Sequence, residues 1–193
     1  MKNSQIGKID FTFEIFINLL NCFQRNNYKI FTFYDYLKEK PSGKILILRH
    51  DVDRFPLNAL KMARLQSKIG IRSTFFFRVI PSVFKKNILR EVHNLGHEVS
   101  YHYEDLSIMR GDYKKAIIHF QKGLNMIREI APAKTICMHG SPLSKWDNKL
   151  LWEKYNYKDY DILGSTSFDI NYDEFFYITD NGFGWNRKDV SVR

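Results

Sequence analysis

Cysteine is scarce in this chain: there are two, Cys22 and Cys137, far apart in sequence. No disulfide framework is available, so the fold has to rest on a hydrophobic core. Both cysteines sit in apolar surroundings, which predicts two buried free thiols and a cytoplasmic compartment. Long apolar runs are also missing. The first apolar segment, FEIFINLLNCF, is interrupted by Glu14, Asn18 and Asn21, and Phe13, Phe16, Ile17, Leu20 and Phe23 fall on one helical face. That pattern predicts an amphipathic helix in place of a signal peptide or a membrane span. Five prolines and ten glycines form no linker, and PSGK at 41–44 reads as a turn. The expected organisation is one domain over 1–193, with a helical segment over 1–40 packed on it. Acidic residues are short, 21 against 30 Lys and Arg, for a net charge of +9. The basic residues are dispersed in runs no longer than two, without interleaved aromatics, so nucleic acid is not expected as a partner.

What the chain does have is a repeated strand-then-helix unit. KILILRH (44–50) leads to a helix over 56–69, with Pro56 at its start and Gly70 just past its end. RSTFFFRVI (72–80) precedes a helix over 83–95, and HEVSYH (97–102) precedes a long helix capped by Asp112. TICMHG (135–140) is followed by a short helix in KWDNKLLWEKY. DILG and EFFYITDNG read as further strands. Strands alternating with helices of this length predict a parallel sheet, either doubly wound or closed into a barrel.

The polar residues fall at the ends of these strands. Asp51 and Asp53 follow the first, His102 ends the third with Glu104 and Asp105 behind it, and His139 ends the fourth, before Gly140 and Ser141. In a parallel α/β fold the carboxyl ends of the strands share one face, so Asp51, Asp53, His102 and His139 are expected to converge. Carboxylate and imidazole together suit zinc or another borderline divalent ion. In a D-x-D both carboxylates face one way, so one is able to hold an ion while the other stays free; Asp53 also stands where a cap of the next helix would be. His97 lies at the wrong end of its strand and is expected to be structural.

LRHDVD, STFFFR and LGHEVSYH together resemble the polysaccharide deacetylase superfamily, over roughly residues 44–140. HDVD, YHYE, MHGSPLSKWDN and YITDNG in this order resemble a branch associated with bacterial surface-glycan biosynthesis. The resemblance implies a distorted (β/α) barrel with a mostly parallel sheet, and metal-dependent removal of N-acetyl groups from a sugar or glycan. Such a barrel takes about 250 residues, which leaves open one that is incomplete at its C-terminal end. Carried over by motif, Asp51 is the base, and Asp53 and His102 are metal ligands. Val52 separates two aspartates that the family usually has adjacent. The family's second histidine falls on Leu106, so the third ligand comes from elsewhere, His139 first, with Asp105 and Glu104 behind it. The leucine–histidine motif that supplies the general acid has no counterpart.

The expected function is therefore hydrolysis of an amide C–N bond on an N-acetylated sugar, with Arg49 orienting Asp51 and zinc held by Asp53, His102 and His139. Tyr103, Glu104, Asp105, Gly140, Ser141 and Trp146 are the expected substrate contacts, with Tyr101, Tyr103 and Trp146 placed to stack on sugar rings. The alternative is a catalytically impaired domain on the same fold that binds a glycan or a partner.

Overall fold

The computed structural model describes residues 11–181 and 184–185. In chain order the helices are α1 (Phe13–Arg25), α2 (Phe33–Glu39), α3 (Pro56–Lys68), α4 (Lys86–Asn94), α5 (Asp105–Ile108), α6 (Tyr113–Arg128) and α7 (Leu151–Lys154). The strands are β1 (Lys29–Phe31), β2 (Ile45–Ile47), β3 (Arg49–Val52), β4 (Thr74–Phe77), β5 (Glu98–Tyr103), β6 (Thr135–Met138), β7 (Gly164–Ser165), β8 (Asp180–Asn181) and β9 (Gly184–Trp185). They fall into two units, Tyr28–Ile170 and the described remainder.

In the smaller unit, Thr12 caps α1 by accepting from the Ile15 amide, and Phe16 and Leu20 are buried. Cys22 is exposed, against the expectation of a buried thiol. It lies off the stripe that Phe16 and Leu20 define, so the helical turn carries it to the polar side. Among the described residues most of the strand expected in EFFYITDNG is absent. Only Asp180–Asn181 pairs, antiparallel with Gly184–Trp185, and Phe176 is 85% exposed. Aromatic β preference is realised where a neighbouring strand and a buried face are at hand.

The larger unit holds the parallel sheets. Strands β3–β4–β5–β6–β7 run in that order, all parallel, and β1 pairs β2 in parallel. Leu48 joins the two sheets. Its N–H donates to the Phe31 carbonyl at 3.1 Å, and its carbonyl accepts from the Thr74 amide at 2.9 Å. The predicted strand at 44–50 is thus one extended segment that hands its pairing from β1 to β4.

Alternation along the strands sorts the side chains. On one face His50 stacks on Phe75 at 4.5 Å, and Phe75 meets His97 edge-on at 5.2 Å. Tyr101 and Tyr103 pack on Phe120 of α6. His97 is structural, as expected: buried, its Nε2 donates to the Ala63 carbonyl and its Nδ1 accepts from the Ser73 amide. On the other face Phe76 and Cys137 pack with Phe33 of α2, bordered by Leu37, Ile47 and Ile170. Glu98 ties that face together. Its carboxylate accepts from Thr74 Oγ1 at 2.6 Å, from the Tyr34 amide at 3.0 Å and from Thr135 Oγ1. Burial pushes the Glu98 carboxyl above its usual range against these bonds.

Gly123 of α6 faces Tyr101. A Cβ there would stand 2.6 Å from the Tyr101 hydroxyl. Gly→Ala inside a helix ordinarily stabilises by about 0.5–1 kcal/mol. Gly123→Ala is expected to reverse that sign and destabilise by about 1–3 kcal/mol through overpacking, read from urea unfolding midpoints.

Candidate metal centre

The site is built from the carboxyl ends of β3, β5 and β6. Asp51 lies within β3 and Asp53 just beyond it. His102 is the penultimate residue of β5. His139 extends β6 by donating its amide to the Tyr103 carbonyl at 2.8 Å. The three elements bring one oxygen and two nitrogens together. Asp53 Oδ1 lies 3.1 Å from His102 Nε2 and 3.5 Å from His139 Nε2. The two imidazoles stand nearly perpendicular, with centroids 5.3 Å apart.

Each imidazole is held by its other nitrogen. His102 Nδ1 lies 3.1 Å from the Cys137 carbonyl, which only accepts, so Nδ1 carries a hydrogen. His139 Nδ1 lies 3.2 Å from Glu104 Oε2 and 3.0 Å from Ser141 Oγ. Both Nε2 atoms are thereby directed at the same carboxylate oxygen. Glu104 is fixed in turn by Arg78, whose Nε and Nη2 donate to its two oxygens at 2.6 and 2.7 Å. Arg78 Nη1 also reaches the Asp53 carbonyl at 3.4 Å. Asn148, buried, donates to the His139 carbonyl and to Ser141 Oγ, pinning the loop.

The electrostatics call for positive charge at the point of convergence. Burial works against ionised Asp53, but the His102 hydrogen bond and charge, then His139 and Arg78, hold its carboxyl below the usual range. Burial likewise opposes a charged His102, yet Cys137, Asp51 and Asp53 drive its pKa well above the ordinary value. Glu104 is also held low, its burial outweighed by His139 and Arg78. A bare Nε2 lone pair would repel the Asp53 carboxylate, so either a proton or a cation belongs between them.

The donor set fits a cation. With metal–ligand bonds of about 2.0–2.2 Å, tetrahedral ligands stand roughly 3.3–3.5 Å apart, close to the two Asp53–histidine separations. The same imidazole has a second set of neighbours. Ligand atoms of Asp51, His102 and Cys137 all lie within 4.8 Å of one another. There the Cys137 thiol is 3.6 Å from Asp51 Oδ2 and 3.2 Å from Arg49 Nη1, and Arg49 Nη2 is 3.6 Å from Asp51. A guanidinium against the sulfur competes with a metal for the thiolate, so the Asp53 side is the better ion site.

The other sequence-derived residues are placed as follows. His50 turns away to Gln66, and burial lowers its pKa to about 4. Asp53 does not cap α3, which has Phe55 at its cap without a side-chain bond. Leu106 is fully buried in the core. Asp105, expected at the substrate, is buried elsewhere: it accepts from the Tyr101 hydroxyl at 3.0 Å and pairs with His119 at 2.5 Å. Tyr103, expected to stack on sugar, is fully buried against Phe120 and Trp152, and Tyr101 is buried beside it. Strand alternation is the reason, since His102 takes one face and its neighbours the other. Trp146 packs over Gly111, which at φ +83° has no Cβ to block the ring. Gly140 is exposed in the loop after His139. Sequence reasoning missed Arg78, Cys137 and Asn148. Arg78 had a usable signal, an arginine at a strand's carboxyl end.

No family model matches the sequence, and no curated protein matches it either. Among solved structures the chain is similar to the Streptococcus pyogenes deacetylase PplD in complex with acetate. The TM-score is 0.53 and the identity 14%, over 82% of this chain and 76% of that one. It is also similar to a CE4 family pseudoenzyme from Bacillus anthracis, with TM-score 0.48 and 14% identity, over 65% of this chain and 43% of that one. The likeness to the first is one of fold, an α/β architecture around a mostly parallel sheet. Among the described residues no helix is long and apolar enough to cross a membrane.

The Asp105–His119 pair yields a pH signature. The Asp105 hydrogen bond raises the His119 pKa, burial opposing it. A raised histidine contributes stability fully below its unfolded value of about 6.5 and loses it as pH climbs through the folded value. His119→Leu is expected to cost about 1–3 kcal/mol, with the deficit in denaturant titrations largest where His119 is charged and Asp105 ionised, shrinking on the alkaline side as His119 loses its proton and on the acid side as Asp105, its carboxyl raised by burial, gains one.

Proposed function

We propose that the protein is a divalent-metal-dependent hydrolase that removes an N-acetyl group from a sugar or glycan, a divergent member of the polysaccharide deacetylase superfamily. The observation that carries this reading is the convergence of two histidine Nε2 atoms on one oxygen of Asp53, each imidazole locked through Nδ1. Support of a coarser kind comes from the fold that the chain shares with a solved deacetylase. Asp53, His102 and His139 would hold the ion, zinc being the best match to one carboxylate and two imidazoles. His139 then stands in for the histidine that the motif lacks at Leu106.

An ion held there supplies Lewis acidity toward the acetyl carbonyl and makes a nearby water easier to deprotonate. The remaining work falls to the chain. Asp51 accepts the proton of the attacking water as the new C–O bond forms. Arg49, 3.6 Å from Asp51 and 3.2 Å from the Cys137 sulfur, keeps that carboxylate aimed. The C–N bond breaks to give acetate and an amine, and the proton on Asp51 is the one available to the departing nitrogen. Arg78 and Glu104 hold the His139 ring, the kind of outer support whose loss typically weakens metal affinity 10–100-fold.

The test separates metal, chemistry and scaffold. His139→Ala and Asp53→Ala are expected to lose zinc, measured by calorimetry on folded protein, and with it activity on N-acetylated sugars. Glu104→Gln is expected to weaken zinc about 10–100-fold. Asp51→Asn is expected to keep zinc and lose activity about 10³-fold, within the usual span of general-base effects. Full activity in Asp51→Asn would refute the assigned base. Zinc-loaded parent protein that binds the sugars without turning any over would favour a glycan-binding domain instead.

A further inference from the structure

A cleft of about 750 Å³ opens beside Asp53, and the chemistry above makes no use of it. Its walls carry Arg54, Arg78 and Lys85 against the carboxylate of Asp53, and the lining contains no other acidic residue. Arg78 is committed to Glu104. Arg54 is exposed and has no hydrogen bond or ion pair among the described residues, and Lys85 Nζ reaches a backbone carbonyl, that of Pro81, at 2.7 Å. Two positive charges therefore face this space without an acidic partner.

Two further features point the same way. Helices α3 and α4 both begin on the cleft wall, and neither has a side-chain cap or an acidic residue in its first turn. Their positive dipole ends add to the field of the side chains. Phe55, at the rim, is held at φ +51° with 70% of its surface exposed, a backbone region that bulky residues rarely adopt. Phe55 lines the same cleft as Arg54 and Lys85.

We infer that this cleft receives a part of the substrate beyond the acetamido group, and that this part is anionic: a phosphoryl or carboxyl group borne by the same sugar. The inference rests on the hydrolase reading for taking the cleft as the substrate side of the ion site. Arg54 and Lys85 are the specificity-determining residues, and Phe55 is the platform for the sugar ring. A neutral glycan would leave both cations without a counter-charge.

The test is calorimetric binding of N-acetylglucosamine, its 1-phosphate, the corresponding uronic acid and inorganic phosphate to the zinc-loaded chain, at low and high salt. The parent protein is expected to bind a charged sugar about tenfold or more tighter than the neutral one at low salt, the preference fading at high salt. Whether the phosphate or the uronic acid is preferred names the source of the charge. The double variant Arg54→Ala/Lys85→Ala, both changes at the surface and its fold checked by circular dichroism, is expected to bind the sugars without that preference. Equal affinity for neutral and charged sugars, a preference that survives the double variant, no binding of charged sugar at millimolar concentration, or inorganic phosphate binding as tightly as its sugar would each overturn the inference. Binding is read without turnover, so a charge-selective protein that hydrolyses nothing would sink the hydrolase reading and leave this one standing.

Discussion

The register of the parallel strands is the constraint on which the rest depends. Asp51 sits opposite Phe76, Phe77 opposite Tyr101, and His102 opposite Cys137. With a side-chain period of two, this register puts Asp51, Phe76, His102 and Cys137 on one side of the sheet. A slip of one residue in β5 would exchange His102 for a tyrosine and bury the imidazole against α6. The inner side is held in register by more than backbone bonds. Glu98 draws β4, β6 and the first turn of α2 onto a single carboxylate, and such a buried acceptor is costly to leave unmatched.

Between β3 and β5 runs β4, which supplies no candidate ligand. Its contribution is Arg78, just past its end, which reaches across both neighbours: the Asp53 carbonyl on one side and the Glu104 carboxylate on the other. Glu104 carries the link on to His139. Four strand ends are thus joined by one chain of charged hydrogen bonds, stronger than neutral ones and fixed in geometry by the bidentate guanidinium.

Much of this was legible in the sequence. Strand–helix alternation gave the parallel sheet, and the position of Asp51, Asp53, His102 and His139 at strand ends gave their convergence before any coordinates. With leucine at position 106, His139 was the expected third ligand, and its Nε2 stands 3.5 Å from Asp53 Oδ1. Less evenly legible is the side of the sheet that each residue takes. TFFF, apolar throughout as strands buried on both faces are, shows no polar–apolar alternation to tell its faces apart. EVSYHY does alternate, Glu98, Ser100 and His102 against Val99, Tyr101 and Tyr103, and that period alone turns the two tyrosines toward α6 and away from His102, against the expectation that they contact sugar. Asp105 follows Glu104 directly but begins a helical turn, which sends its carboxylate to His119 instead of His139. The aromatic run at 174–179 misled for a related reason: its composition suits a strand, but strand formation is settled by neighbours that sequence alone does not supply.

The spread of the site along the chain has a consequence for how the protein comes into being. Asp53, His102 and His139 belong to strands brought together by pairing across long stretches of sequence, with β4 inserted between the first two. Non-local parallel pairing is slow, because loop closure precedes any contact that rewards it. No isolated βαβ unit contains more than a fragment of the cluster. A nascent or partly folded chain therefore lacks the full set, and the Asp53–His102–His139 cluster appears only when the whole central sheet has been assembled.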